Sequence, residues 1–435
     1  MARTTKKSVI TCDLEGRIET FNDGAQEIFG YEPSEVIGAK RVSAFSPGLI
    51  VLGHVNDWLA TAREEGEYIG QTVFVRKDGS RFAADIRITP TFRRENGQKI
   101  QIGYCGVTTP RPDVPVEQAM PELGLGPRIF RWLVVTRAPF LTATIVPVLM
   151  GAAWAVYRGE ASPFPWLLFA LTMIGAIALH VAANTFNDYF DWQSGTDQAN
   201  NDYFLPYTGG SRSIELGLVT PPKLFRVAVG ALLVAVIAGL ALTALGRPLV
   251  LLFGAIGAFS AYFYTAPPLR LVARKGLGEL LIGLNFGLLM VAGTSYTLTG
   301  SLAGSALLLG LPIGLLVTAI LWINQFPDAA SDEATGKLNL VVVLGKERAR
   351  WGYAALMVAT FAVIVLSVVS GLLPAGILLG LLALPLAVYT TTILFRHYRQ
   401  RTLVKANSAT ILLHVVAGSL LAVGLFFNDA ITSLF

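Results

Sequence analysis

Nine apolar segments, each close to twenty residues long, follow one another through the chain beyond residue 138. About twenty apolar residues of helix are needed to cross the hydrocarbon core of a bilayer. The composition agrees, because 53% of all residues are hydrophobic and only 14% are charged, as is typical of membrane proteins. The sequence therefore predicts an all-α polytopic membrane bundle of nine transmembrane helices. The predicted spans are 138–157, 163–185, 224–245, 247–264, 278–299, 302–325, 350–371, 373–395 and 408–427.

The connections between these segments differ in positive charge. One set of alternate connections, together with the N-terminal flank, is rich in Lys and Arg, whereas the opposite set has only Arg158 and Arg247. Because Lys and Arg are enriched on the cytoplasmic side, we expect an inner-membrane protein with a cytoplasmic N-terminus and an external C-terminus. The start of the chain has no apolar run of signal-peptide length, which favours the same orientation. The basic residues are Arg128, Arg131, Arg137, Arg212, Lys223, Arg226, Arg270, Arg274, Lys275, Lys337, Lys346, Arg348, Arg350, Arg396, Arg399, Arg401 and Lys405.

Residues 1–109 precede the apolar part and have the pattern of a small α+β domain. From Thr72 to Ile88, apolar and polar residues alternate on both sides of Asp78-Gly79, a combination that predicts a β-hairpin. A third strand is predicted over roughly 99–107. This hairpin, together with Phe29-Gly30-Tyr31 and the other short motifs before it, resembles a PAS domain. PAS domains host haem, flavin, small ligands or nothing, so the resemblance predicts a fold and leaves the ligand open.

Five prolines lie between Pro110 and Pro127. This spacing predicts a semi-rigid linker over residues 110–127, followed by the membrane domain over 128–435. Cys12 and Cys105 fall in strand-like segments of the first domain, where we interpret them as small packing residues. No basic run with interleaved aromatic residues indicates a nucleic-acid partner.

The first of two acidic stretches, Asn187–Asp197, lies at the end of a predicted membrane helix. Carboxylates at a membrane interface are costly and usually bind something. The spacing of three or four residues predicts that four polar side chains share one helix face, with His180 one turn deeper. Gly195 is expected to end the helix and to let Asp197 turn back toward the same site. The four side chains are Asn184, Asn187, Asp188 and Asp191.

The second acidic stretch contains Asn324, Asp328 and Asp332, which recur every four residues and form one stripe on a helix. Pro327 disfavours helical geometry at the residue before it, so a kink or break is expected there. Two facing carboxylate stripes suit Mg²⁺, which takes a few carboxylate oxygens together with water and phosphate oxygens. A plainer interpretation is that these acids cap helix ends or pair with Lys337 and nearby arginines.

The paired stretches resemble the two aspartate motifs of the UbiA superfamily of intramembrane prenyltransferases, and the nine-helix count agrees. Gly195 with Asp197, the stretch 209–214 and the stretch 276–287 are similar to the branch that prenylates 1,4-dihydroxy-2-naphthoate on the way to menaquinone. Asn339 departs from that pattern, where Thr is usual. The region after Tyr264 also lacks a lysine that other branches carry.

The resemblance implies a Mg²⁺-dependent transfer of a polyprenyl group from polyprenyl diphosphate to an aromatic acceptor. It implies that Arg212 and Lys337 neutralise phosphate oxygens, and that aromatic side chains shield an allylic cation. The implied magnesium ligands are Asp188, Asp191, Asp197, Asp328 and Asp332. The implied substrate-binding residues are His180, Asn184, Asn187, Tyr264, Asn285 and Asn324.

Two alternatives stay open. The first is a prenyltransferase of the same superfamily with another acceptor, such as a different quinone precursor, a chlorin or a lipid alcohol. The second is a non-catalytic membrane sensor or transporter with the PAS domain as its input, because intramembrane acids also mark transport pathways. In either case the fusion suggests that the PAS domain regulates the membrane domain in response to redox state or a ligand.

Overall fold

The computed structural model describes residues 7–48, 50, 54–95, 97–119, 125–200 and 210–428. The chain divides into two compact units. One contains the N-terminal residues to Val135 together with Arg212–Thr220, and the other contains Thr136–Ser211 and the chain from Pro221 onward.

The first unit is built on a five-stranded antiparallel sheet with the order β2-β1-β5-β4-β3. The predicted hairpin is confirmed: β3 pairs with β4 in a register that places Thr72 opposite Ala84. The predicted third strand is also present, and it is longer than expected. The strands are β1 Ser8–Asp13, β2 Ile18–Phe21, β3 Tyr68–Val75, β4 Arg81–Glu95 and β5 Gln98–Pro110. The helices are Asp23–Phe29, Pro33–Val36, Val42–Phe45 (3-10), Val55–Glu65, Val116–Ala119 and Leu125–Val135.

Aromatic rings fill the core between this sheet and its helices. Phe29 stacks on Phe45 with ring centroids 4.4 Å apart and meets Phe74 edge-on at 5.6 Å. Cys12 is buried in this core, as expected of a packing residue. Val114, Val116 and Ala119 pack against the same core, although they lie within the range predicted as a linker.

The segment Arg212–Thr220 belongs to the same unit, which the sequence did not predict. Leu216, Leu218 and Val219 are buried. A Cβ atom on Gly48 would clash with the carbonyl oxygen of Leu216, so the backbones of Gly48 and Leu216 are in close contact. Within the segment, Arg212 forms an ion pair with Glu215.

The second unit is helical. Eight of its described helices are long and apolar enough to cross a membrane, and a shorter apolar helix covers Val250–Phe263. All nine predicted segments are therefore helical, but nine full-length spans are not confirmed. The eight are Ala138–Tyr157, Trp166–Gln193, Pro221–Ala244, Leu277–Thr299, Gly304–Ala334, Lys346–Val369, Ala375–His397 and Arg401–Phe426. Short helices also cover Thr196–Ala199, Leu271–Ala273 (3-10) and Leu340–Leu344.

Two helices extend well beyond their apolar runs. Trp166–Gln193, hereafter the first acidic helix, and Gly304–Ala334, the second acidic helix, each continue through an acidic stretch. Of the kink or break expected near Pro327, the break does not occur, because the second acidic helix runs through this residue. Proline leaves the carbonyl four residues earlier without its helical donor. That carbonyl, of Ile323, accepts a hydrogen bond of 3.3 Å from Asn407 Nδ2 instead.

Glycines bring the helices around the second acidic helix close together. Gly287 lies in a π-helical turn, Leu284–Leu289, and a Cβ atom there would overlap the backbones of Gly310 and Gly314. Small residues at such contacts let membrane helices pack closely. The second acidic helix thereby occupies the centre of the largest apolar core, with Leu309, Ile313 and Phe326 fully buried.

Candidate diphosphate and metal site

The second unit encloses a cavity of about 560 Å³ that combines acidic and apolar walls. Both acidic helices contribute carboxylates to its lining, and the remaining wall is largely aliphatic and aromatic. A long apolar pocket with a few polar groups at one place is the usual form of a small-molecule site. The polar and charged lining residues that the sequence singled out are His180, Asn184, Asn187, Asp191, Asp197, Tyr264, Asn285, Asn324, Asp328, Asp332 and Lys337.

The first acidic helix presents Asn184, Asn187 and Asp191 to the cavity. Asp188 was predicted to share this face, but it is not among the described lining residues. It is buried, lies 3.7 Å from Arg137 Nη1 and accepts hydrogen bonds of 3.3 Å from the Ser211 N–H. Asp188 therefore lies beside the cavity, in contact with Arg137 and Ser211.

Asp197 lines the cavity from the short helix Thr196–Ala199, which follows the first acidic helix. The first acidic helix ends at Gln193, and Gly195 has a φ of 81°, which confirms the predicted helix end. Gly210, with a φ of 70°, lies between two of the acids: a Cβ atom there would be 2.9 Å from Asp188 Oδ1 and 3.4 Å from Asp197 Oδ1. The absence of a side chain at Gly210 therefore leaves room between these carboxylates.

All three residues of the second stripe line the cavity, and each accepts a hydrogen bond from a different asparagine. Carboxamide donors hold acidic side chains in one orientation without neutralising their charge. The three bonds are Asn407 Nδ2 to Asn324 Oδ1 at 2.7 Å, Asn200 Nδ2 to Asp328 Oδ1 at 2.8 Å and Asn339 Nδ2 to Asp332 Oδ2 at 2.7 Å.

Lys337 connects the two stripes. Its Nζ lies 2.9 Å from Asp191 Oδ2 on one helix and 3.7 Å from Asp332 Oδ1 on the other. Burial alone would lower the pKa of Lys337, but these carboxylates outweigh burial and raise it. The ammonium group therefore stays charged at physiological pH. The pairing that we considered as a plainer explanation does occur, and it draws both stripes to one place.

The donor set suits a hard cation. The carboxylate and carboxamide oxygens lining the cavity are ligands that Mg²⁺ accepts, and Nδ1 of the lining His180 is engaged by Thr144 Oγ1 at 2.7 Å. Within the described residues, no three His, Cys, Asp or Glu side chains converge tightly enough to hold an ion by themselves. Mg²⁺ typically uses one or two carboxylates and completes its shell with water and substrate phosphates. The residues present therefore fit a magnesium ion that shares its shell with a diphosphate.

The remaining predicted residues have different surroundings. Asn285 lies in the π-helical turn and donates to Ser260 Oγ at 3.1 Å. Tyr264 lines the cavity, and its Oη is buried without a hydrogen-bond partner among the described residues. Arg212 belongs to the first unit, so its contact with a phosphate stays a prediction.

Sequence reasoning missed several polar residues at this site. Arg137 was used only to predict orientation, yet it lines the cavity and places Nη1 3.4 Å from Asn187 Oδ1. Asn200 and Asn407 gave no signal, because their partners lie far away in the chain. Asn339 was noted only as a departure from the usual pattern, and Glu279 only as part of a glycine-rich stretch.

Comparison with known proteins gives two family matches. A model described as the UbiA prenyltransferase family matches residues 144–425, and a PAS domain model matches residues 6–106.

Individual relatives resemble the membrane part. The chain is 32% identical over 258 residues to a 1,4-dihydroxy-2-naphthoate octaprenyltransferase of Mycobacterium leprae, covering 59% of this chain and 83% of the relative. It is 26% identical over 298 residues to the Bacillus subtilis protein of the same name, covering 68% and 91%. A solved UbiA homolog from Aeropyrum pernix K1 aligns at 17% identity over 68% of this chain and 98% of its own, with a TM-score of 0.49.

Proposed function

Because the chain belongs to the UbiA prenyltransferase family, we propose that it transfers a polyprenyl group from polyprenyl diphosphate to 1,4-dihydroxy-2-naphthoate. It is a multi-pass membrane prenyltransferase with an N-terminal PAS domain. The observation that carries the proposal is the meeting of two acidic helices at one cavity, across Lys337.

The acidic helices bind the diphosphate end of the donor. Asp191, Asp197, Asp328 and Asp332 line the cavity and would hold Mg²⁺, and Asp188, beside Gly210, would support the same site. Bound magnesium neutralises phosphate charge and so stabilises the leaving group. Lys337 donates to phosphate oxygens, and Arg212 adds a second cation. Asn187 and Asn324 orient the donor.

The apolar wall holds the prenyl chain and the acceptor ring. The bond between the allylic carbon and the diphosphate oxygen breaks, and its electron pair leaves with the diphosphate. The ring carbon that carries the carboxylate then bonds to the allylic carbon. Carbon dioxide departs and leaves its bonding pair in the ring. Tyr264 and Phe286 shield the cation, and His180 and Asn285 face the acceptor.

The choice of naphthoate is supported by the relatives from M. leprae and B. subtilis, both named as 1,4-dihydroxy-2-naphthoate octaprenyltransferases. We place the protein in the inner membrane with its PAS domain in the cytoplasm and its C-terminus outside. This orientation requires Val250–Phe263 to be the ninth span. By the α-helical rise its fourteen residues cover about 21 Å, which requires flanking residues or local thinning to complete the crossing.

As domain limits we propose those predicted from the sequence: a PAS domain over 1–109, a linker over 110–127 and the membrane domain over 128–435. We also propose that the PAS domain regulates transfer. In support, Arg212–Thr220 belongs to the same unit as the PAS domain and leads into the helix Pro221–Ala244.

Gly48→Ala disturbs the backbone contact with Leu216, so it should change kcat in the full chain. Gly106→Ala is the control, because a Cβ atom there would meet only an ordinary van der Waals contact, 3.9 Å from the carbonyl oxygen of Ile10. Equal rates would argue against regulation through this segment.

The test supplies the purified chain with Mg²⁺, a polyprenyl diphosphate and a panel of acceptors, and identifies the product by mass. We expect one prenylated product, from the naphthoate, with the carboxyl group lost. Transfer to a different acceptor alone would favour the first alternative. Absence of transfer to every acceptor would contradict the enzymatic function and favour a sensor or transporter.

A further inference from the structure

Three buried polar atoms beside the acidic stripes lack a hydrogen-bond partner in the part of the chain that the structure describes. They are Tyr264 Oη, Gln325 Oε1 and Glu279 Oε2. Gln325 is 5% exposed and Glu279 is 3% exposed, and both Tyr264 and Gln325 line the cavity. Buried polar atoms are nearly always hydrogen-bonded, so a group of unpaired ones calls for a partner from outside the chain.

The orientation of Gln325 is fixed by its neighbour. Gln325 Nε2 donates to Glu279 Oε1 at 3.0 Å, and the Leu340 N–H donates to the same oxygen at 2.9 Å. A carboxylate only accepts, so the amide nitrogen of Gln325 must face Glu279 and the amide oxygen must face away. Gln325 Oε1 is thereby left as a buried, unpaired acceptor in a side chain that lines the cavity.

Tyr264 lies next to this pair. A Cβ atom on Gly278, the residue before Glu279, would lie 3.4 Å from Cε2 of the tyrosine ring. The three unpaired atoms thus comprise one phenolic hydroxyl, which can donate or accept, and two pure acceptors. A neutral hydroxyl group suits such a set, because it can donate to one member and accept from another. A carboxylate or phosphate would be repelled by Glu279.

Of the two proposed substrates, only the acceptor can supply this hydroxyl. The prenyl chain has no polar hydrogen, and the diphosphate offers acceptor oxygens. Gln325 precedes Asp328 by three residues, which corresponds to about 4.5 Å along the helix axis. A ring held at Gln325 would therefore lie directly beside the allylic carbon from which the diphosphate departs.

We propose that Gln325 binds a ring hydroxyl of the acceptor and that Glu279 acts as a positioning residue for Gln325. This inference rests on the proposed function and deepens it, because it names the residues that recognise a ring hydroxyl of the acceptor. A hydroxyl that donates to Gln325 makes the ring richer in electrons while it attacks the cation. The same contact selects against acceptors that cannot donate at this point.

The experiment compares the full-length wild-type chain with Gln325→Met and Gln325→Leu, using 1,4-dihydroxy-2-naphthoate and each of its two monomethyl ethers. A methoxy group keeps the ring electron-rich but cannot donate a hydrogen bond. The matched control is Leu308→Met, because Leu308 lies on the same helix as Gln325 but is not among the described residues that line the cavity. The readouts are kcat/KM for each acceptor and, separately, KM for the polyprenyl diphosphate.

We expect the wild-type chain and Leu308→Met to prefer the dihydroxy acceptor over one of the ethers by about 100-fold or more, since sites built to bind a hydroxyl reject analogues that cannot donate. In both Gln325 variants this preference should fall below about 10-fold, while KM for the diphosphate stays within about twofold of wild type.

A wild-type chain that does not distinguish the ethers would overturn the proposal without any variant, so the test does not depend on the variants folding. Unchanged selectivity in the Gln325 variants would also overturn it. If the wild-type chain prenylates another hydroxylated arene but not the naphthoate, only the proposed acceptor fails, and the same comparison with that arene and its methyl ether then decides on Gln325. If no hydroxylated arene is prenylated at all, both the proposed function and the proposed role of Gln325 are overturned.

Discussion

The interior of the PAS domain and the interior of the helical unit bury different kinds of side chain. Among the described residues of 7–119, the buried set is aromatic, aliphatic, thiol or hydroxyl, without a charged member. The helical unit buries Asp188, Asp191, Asp332 and Glu279, and Lys337 lies among them. The described core of the first unit is an uncharged cluster of packed side chains, whereas the second unit combines buried charge with a cavity.

This difference indicates where the chain is adapted for a ligand. Charged groups are costly to bury and persist only when they are paired or bind a partner. Replacing a buried ion pair by apolar residues often leaves stability unchanged or increases it. The acidic helices therefore retain their charges for chemistry, whereas the aromatic core of the PAS domain is accounted for by packing.

The largest expected effect follows from neutralising one acid in each helix. Asp191→Asn and Asp328→Asn should each lower kcat/KM by at least about 1000-fold, because each removes charge that stabilises the leaving diphosphate. Product formation by the purified chain measures this. Glu333→Gln is the matched control, because Glu333 is an exposed acid in the same stretch, and it should stay within about threefold of wild type. If Glu333→Gln were as inactive as Asp328→Asn, charge of the whole stretch rather than the cavity site would be responsible.

Removing the cation between the helices should affect stability and metal response together. Lys337→Met leaves Asp191 and Asp332 without their shared partner, and breaking a buried pair in this way costs about 3–5 kcal/mol of unfolding free energy. Lys405→Met, at an exposed position, should change stability by less than about 0.5 kcal/mol. Added Mg²⁺ should raise the melting temperature of Lys337→Met more than that of wild type, because it binds the freed carboxylates. An equal response would contradict a shared metal site.

A substitution in the PAS core should change stability without changing chemistry. Phe29→Ala removes a ring that contacts three others and should destabilise this domain by about 3 kcal/mol. Hydrogen exchange in PAS peptides would report the loss, while product formation at low temperature should stay near wild type. Phe92→Ala, at an exposed site, should have little effect on either measurement. Abolished transfer in Phe29→Ala would show that the two interiors are not independent.

The smallest effect is expected at Cys12. Burial raises the pKa of this thiol to about 11, so the reactive thiolate is only about one part in a thousand at pH 8. Alkylation by iodoacetamide should therefore be at least about tenfold slower than in the urea-unfolded chain, and it should accelerate as the pH rises toward 10. Fast labelling at pH 8 would instead identify Cys12 as a thiol suited to redox sensing.

The sequence predicts much of this architecture, because hydrophobic length and alternation are local signals. Local signals of this sort predicted the apolar segments, the β3–β4 hairpin and the helix faces that carry the asparagines and aspartates. The errors arise where distant residues decide the outcome. Asn407, on another helix, donates to the Ile323 carbonyl that Pro327 leaves without a helical donor. The acidic helices extend past their apolar runs because their polar ends face the cavity. No local pattern could have paired Gln325 with Glu279 or Asn200 with Asp328.

The central claim is that the two acidic helices form one magnesium-dependent diphosphate site. The most direct test measures binding of a non-hydrolysable polyprenyl thiodiphosphate to the purified chain by calorimetry, with Mg²⁺ and with a chelator. We expect wild type to bind only with Mg²⁺, and we expect Asp191→Asn and Asp328→Asn each to weaken this binding by at least about tenfold. Wild-type affinity in either variant, or binding unaffected by the chelator, would contradict a site shared by both helices.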